Sequence, residues 1–77
     1  MTKSVGIENG DAEINGSERQ FPGGMPQTLT ELLEHLGINQ ATVVAEIDGK
    51  IVERRSFAQT HLSNGQTVEL VRFVGGG

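Results

Sequence analysis

The stretch from Thr28 to Gly37 reads Thr-Leu-Thr-Glu-Leu-Leu-Glu-His-Leu-Gly, with apolar residues recurring at the period of a helix. Leu29, Leu32, Leu33 and Leu36 fall at i, i+3, i+4 and i+7, which makes one apolar stripe, while Glu31 and Glu34 lie on the opposite side. Thr28 and Glu31 have the spacing of a capping box, in which each side chain satisfies an orphan backbone donor at a helix start. Gly37 is placed to take the left-handed conformation that ends a helix.

Elsewhere the apolar period is two. Ala12 to Ile14 and Arg19 to Phe21 flank Asn15-Gly16, a dipeptide suited to the positive φ angles of a tight hairpin. Pro22, Gly23, Gly24 and Pro26 break regular structure and predict a loop. After the helix, Thr42 to Ile47 predicts a strand with Val43, Ala45 and Ile47 on one face. Asp48-Gly49 turns the chain and Lys50 to Val52 returns as a short strand. An irregular stretch anchored by Phe57 and Leu62 follows. Asn64-Gly65 then turns the chain into a last strand, Thr67 to Val74. The order β-β-α-β-β-β, with one helix to cover one face of a sheet, predicts an α+β domain of the β-grasp, ubiquitin-like kind with a mixed sheet. The helix stripe is expected to pack on Ile14, Phe21, Val43, Ile47, Val68 and Leu70. The expected organisation is a flexible N-terminal extension over residues 1–10, a domain over 11–73 and a flexible glycine tail over 74–77.

Size and composition narrow the chemistry. At 77 residues there is room for one small core and none for a walled substrate cavity. The absence of cysteine excludes disulfides, thiolate metal clusters and sulfur carriage on a thiol of this chain. Six basic residues against ten acidic ones give a net charge of −4, the wrong sign for a phosphate-binding surface, so no nucleic-acid partner is expected. The basic pair Arg54-Arg55 has no aromatic residue alternating with it. No apolar run long enough for a signal peptide or membrane span follows Met1, so a monomeric, cytoplasmic protein with no membrane partner is expected.

The usual catalytic side chains form no constellation. His35 sits at the edge of the leucine stripe and His61 in the irregular stretch, with no Ser, Cys or acid spaced to relay protons with either. Gly23-Gly24 lacks the Lys-Ser/Thr of a phosphate loop. No bound metal or cofactor is expected. What remains is Val74-Gly75-Gly76-Gly77. Glycines directly after a strand cannot pack and lose much entropy when fixed. They suit a carrier better, because a tail without Cβ atoms threads a narrow channel in a partner enzyme. Extended, Phe73 to Gly77 spans at most ~17 Å, enough to deliver a terminus into an active site while the body stays docked outside. The carboxylate of Gly77 is unhindered and ionised at neutral pH, able to attack the α-phosphate of ATP and form an acyl-adenylate that a sulfur nucleophile converts to a thiocarboxylate. The bland alternative for such a tail is a frayed end.

From Ala12 to Gly77 the sequence resembles the ThiS family, sulfur carriers for the thiazole of thiamine. The matching features are Asn15-Gly16 before a short strand, Thr28-Leu29 with Leu32-Leu33 opening the helix, and Leu36-Gly37 closing it. Ala45-Glu46-Ile47-Asp48-Gly49 with Ile51-Val52, Asn64-Gly65 with Val68-Glu69, and the Val74-Gly75-Gly76-Gly77 end complete the set. The resemblance implies that Gly77 is adenylated by a ThiF-like E1 adenylyltransferase using ATP, converted to a thiocarboxylate with sulfur from a donor protein, and discharged to a ThiG-like thiazole synthase. It implies that Gly75 and Gly76 are the threading segment, and that the chain is a co-substrate rather than an enzyme. Glu53 departs from the proline, and Gln66 from the acid, that many members carry at these points. Val71, Phe73 and Val74 are expected to bind partners, since Val71 and Phe73 alternate with the inward Val68 and Leu70. The small subunit of molybdopterin synthase, a carrier for another sulfur pathway, and a non-catalytic β-grasp binding module with an inert tail stand as alternatives.

Overall fold

The computed structural model describes residues 9–73. Chain order is β1 (Gly10–Ile14), β2 (Ser17–Phe21), α1 (Leu29–Leu36), a 3₁₀ turn (Gln40–Thr42), β3 (Val43–Ile47), β4 (Lys50–Val52), a 3₁₀ segment (Arg54–Gln59) and β5 (Thr67–Arg72). The five strands form one mixed sheet in the order β2-β1-β5-β3-β4, so the last strand occupies the centre. β5 runs parallel to β1, with Ile14 opposite Val68, and antiparallel to β3, with Ile47 opposite Val68 and Ala45 opposite Leu70. The mixed sheet with one main helix, and the order of elements along the chain, are those of the predicted β-grasp.

Local signals are realised where the backbone demands them. Asn15 and Gly16 adopt φ of 52° and 83°, and Asp48 and Gly49 adopt 51° and 85°, the doubly positive pair that matches strand twist in a two-residue hairpin. Thr28 caps α1 by accepting the Glu31 N–H at 3.2 Å, and Glu31 Oε1 reaches back to the Gln27 N–H at 2.9 Å. The reciprocal bond therefore falls one residue earlier than the capping-box geometry expects, while still satisfying an orphan donor. Gly37 ends the helix in the left-handed region at φ 72°.

The core lies between α1 and one face of the sheet. Leu29, Leu32 and Leu33 are fully buried against Ala12, Ile14, Phe21, Val43, Ala45, Ile47, Val68 and Leu70. Leu36 packs at the rim, half-buried. The stretch expected to be irregular is ordered as a 3₁₀ segment that carries Phe57 into the core, and the Leu62 N–H bonds the Gln27 carbonyl at 3.0 Å to tie the following loop to the helix entry.

Four strand ends differ from the sequence reading: β1 starts at Gly10 rather than Ala12, inside the expected extension, whose residues 1–8 lie outside the described residues, and β2 starts at Ser17 rather than Arg19. Thr42 belongs to the 3₁₀ turn, because its N–H and hydroxyl both bond the Asn39 carbonyl at 3.2 Å, so β3 starts at Val43. β5 stops at Arg72, although the Phe73 N–H still donates to the Thr42 carbonyl at 3.0 Å. Of the two departures from the family pattern, Gln66 accepts the Ser63 N–H at 2.8 Å and closes the turn before β5. Glu53 holds φ −71°, a value that proline also takes, and pairs with Arg55 at 2.8 Å on the surface.

Candidate functional site

The side chains of β5 alternate, and so its two faces differ. Val68 and Leu70 point into the core, while Glu69 and Val71 point to the face that α1 leaves uncovered. Val71 is 60% exposed and Phe73 49%. The structure adds two residues that a reading of β5 alone misses. Val44 lies directly opposite Val71 on β3 and is 42% exposed, and Ile51 lies opposite Glu46 on β4 and is 68% exposed. Val44, Val71 and Phe73 make an apolar patch at the end of the sheet where β5 runs out, and Ile51 extends it onto β4 from the neighbouring row. A depression of about 240 Å³ opens there, lined by Val44, Ile51, Phe73 and the rim residues Glu53 and Arg54. Strand pairing was the missing signal: Val44 looks like an ordinary β-branched strand residue until the register sets it opposite Val71, and Ile51 until β4 places it in the row of Glu46, lining the depression with Val44 and Phe73.

Toward the other end of the same face the strands present carboxylates. Glu46 sits directly opposite Glu69, and Glu13 directly opposite Glu18. Like charges facing each other across strands repel. Among the described residues the ion pair formed is Glu53–Arg55, and none of these four carboxylates pairs with a described lysine or arginine. Along β5 itself the face runs from Glu69 to Val71 and Phe73, while the row of Glu69 and Glu46 ends on the apolar Ile51 of β4.

The end of β5 is held unequally on its two sides. β3 pairs with it as far as Arg72, whereas on the β1 side the backbone ladder ends where the chain turns at Asn15. The Asn15 side chain bonds Leu70 twice, accepting its N–H at Oδ1 (2.7 Å) and donating from Nδ2 to its carbonyl (3.1 Å). A reading of Asn15 as a turn residue alone does not reveal this contact.

The side chains set aside by the sequence reading stay apart. His35 packs its ring on Phe21 at 5.5 Å between centroids, beside an open groove of about 310 Å³ lined by Pro22, Met25, Pro26 and Glu31. His61 is exposed on the loop and pairs its backbone with Thr28. Among the described residues, no group of three His, Cys, Asp or Glu side chains is close enough to hold a metal ion, and no helix is long and apolar enough to cross a membrane. Val74, Gly75, Gly76 and Gly77, singled out as threading, docking and reacting residues, lie outside the described residues.

Comparison with known proteins bears on this arrangement. A model of the ThiS family matches residues 12–77. A thiazole synthase of Paramagnetospirillum magneticum is 41% identical over 64 residues, which are 83% of this chain but 19% of that protein. The protein ycf40 of Porphyra purpurea is 31% identical over 77 residues, covering 100% of this chain and 99% of its own length. The crystal structure of a ThiS thiamine biosynthesis protein from Geobacter metallireducens superposes with a TM-score of 0.75 at 35% identity, over 87% of this chain and 99% of that one. A solution structure of a thiamine biosynthesis protein from the same organism gives 0.72 at 35% identity, over 87% of both chains.

Proposed function

Because this chain belongs to the ThiS family, the sulfur carriers of thiamine biosynthesis, we propose that it carries sulfur as a thiocarboxylate on Gly77 for formation of the thiazole ring. A carboxylate oxygen of Gly77 attacks the α-phosphorus of ATP, pyrophosphate leaves, and an acyl-adenylate forms. A hydrosulfide-level nucleophile then attacks the acyl carbon, the bond to AMP breaks, and AMP departs with the electron pair. The enzyme performing the first step is a ThiF-like E1 adenylyltransferase, and the sulfur comes from a donor protein. The chain is a co-substrate in these steps and works in the cytoplasm, where ATP is available. The similarity of this chain to a fifth or so of a thiazole synthase supports a ThiG-like synthase as acceptor of the sulfur.

The observation that carries the reading is the apolar patch on the uncovered sheet face, placed where β5 ends just before Val74-Gly75-Gly76-Gly77. A partner seated on Val71 and Phe73, with Val74 at its margin, holds the body while Gly75 and Gly76 enter a channel too narrow for side chains. The facing carboxylates Glu46 and Glu69 suit a partner that borders its apolar contact with arginine or lysine.

The test is the intact mass after incubation with the activating enzyme, ATP and a sulfide source. A gain equal to exchange of one oxygen for sulfur, localised to Gly77, is expected. Deleting Gly76 and Gly77 should abolish it. No gain with a verified cognate activating enzyme refutes the carrier role and leaves a β-grasp binding module.

A further inference from the structure

Asn15 reaches 55 positions along the chain to hold Leu70, and its backbone explains why a side chain has to do so. The Asn15 N–H completes a rung of the parallel ladder by bonding the Val68 carbonyl at 2.9 Å. At φ 52° the chain then leaves the ladder for the hairpin. The next two groups that β5 presents on this side are the N–H and the carbonyl of Leu70. In an uninterrupted parallel pair the backbone of the neighbouring strand meets both. Here the primary amide of Asn15 meets both, since it carries the same donor and acceptor as a peptide group. Glycine or aspartate tolerates the same backbone angles, but neither supplies the donor and acceptor together.

The other hairpin braces the opposite end of the strand. Asp48 Oδ1 accepts the Thr67 N–H at 3.0 Å, and the Asp48 N–H bonds the Thr67 carbonyl at 2.8 Å. β5 is thus fixed at its start by Asp48 and near its end by Asn15. Without the Asn15 amide, the last residue held on both sides is Val68 instead of Leu70. The part of the strand held by β3 alone then grows from residues 71–73 to residues 69–73.

We propose that Asn15 is a positioning residue for the reaction at the C-terminus: by capping the ladder at Leu70 it sets the direction in which the chain leaves the sheet. This rests on the carrier reading above. The amide does not touch the reacting atoms. By holding β5 on both sides as far as Leu70 it fixes the point from which the reacting end is presented once the body is docked, which raises the fraction of complexes in reactive geometry. The effect therefore belongs in kcat rather than in KM.

Asn15→Gly removes the amide and keeps the turn, and Asn15→Asp keeps the turn and the acceptor while losing the donor. In the full chain, amide hydrogen exchange at Leu70 is expected to quicken about tenfold or more in Asn15→Gly, the factor for loss of a hydrogen bond worth about 1.4 kcal/mol. Leu32, whose N–H bonds the Thr28 carbonyl at the start of the helix, should stay protected, its exchange rising by no more than the loss of global stability, and report that the domain is folded. Under ThiF-like adenylation, kcat should fall about tenfold with KM changed less than about threefold, and Asn15→Asp should lie between the two. Wild-type exchange at Leu70 in Asn15→Gly overturns the clamp. Faster exchange with unchanged kcat, or a rise confined to KM, overturns the positioning role. A wild-type chain that is never adenylated by an active enzyme overturns the carrier reading itself, and the Leu70 exchange rate separates that failure from failure of the clamp.

Discussion

Phe73 offers the sharpest perturbation of the proposed docking face. It follows the last residue of β5 and is 49% exposed, so truncating it removes contact area at the rim rather than filling from the core. A phenylalanine side chain has on the order of 200 Å² to bury, so about half of that, roughly 100 Å², is free to be covered by a partner. At about 25 cal/mol per Å² the covered area contributes at most about 2.5 kcal/mol, a factor of about seventy in affinity. Phe73→Ala should therefore raise the dissociation constant for the activating enzyme between about tenfold and about seventyfold. Titration calorimetry measures this directly. Thermal melting of the same variant should show the cooperative unfolding of the wild type. Glu34→Ala, on the exposed side of α1, serves as the control and should bind as the wild type does. A Phe73→Ala chain that stays folded and binds within twofold of wild type would refute the assignment of this face, because nothing then remains for the exposed ring to contribute.

Two further perturbations test the packing. A Cβ on Gly10 would stand 2.5 Å from the Met25 backbone nitrogen and 2.9 Å from the Gly24 carbonyl carbon, atoms that no rotamer change can move. Gly10→Ala should cost toward the upper end of about 1–3 kcal/mol and lower the melting temperature by about 10–20 °C; an unchanged melt would mean that β1 and the Gly24–Met25 loop are not in contact. The Thr30 hydroxyl is buried in α1 with no hydrogen-bond partner among the described residues. Thr30→Val, of the same shape, should stabilise by about 0.5–1 kcal/mol, seen as a higher urea midpoint at constant slope, whereas a lower midpoint would reveal a bond that the hydroxyl makes.

Much of the fold was legible along the chain because its signals are local. A helix needs its apolar stripe and caps within one short segment, and Thr28, the four leucines and Gly37 supply them. A two-residue hairpin needs positive φ at adjacent residues, which Asn15-Gly16 and Asp48-Gly49 provide. The order of elements along the chain, and with it the β-grasp class, followed from their number and spacing, and the exposure of Val71 and Phe73 followed from the alternation of β5 once its inward residues were known. The family resemblance ran through the same local features and extended to the glycine end.

The rest depended on pairing, which brings together residues far apart in the chain and leaves no local mark. Val44 joins Val71 and Phe73 only because β5 pairs with β3 in one register, and Ile51 only because β4 pairs with β3 on its other side. The 3₁₀ segment at Arg54–Gln59 has no apolar period of its own and is held by burying one ring, Phe57. The facing pair Glu46–Glu69 is likewise a product of register. Asn15 states the division most clearly. Its backbone role in a turn is a property of two adjacent residues, whereas the bonds of its amide to Leu70 exist only where the tertiary fold ends one strand beside another that continues.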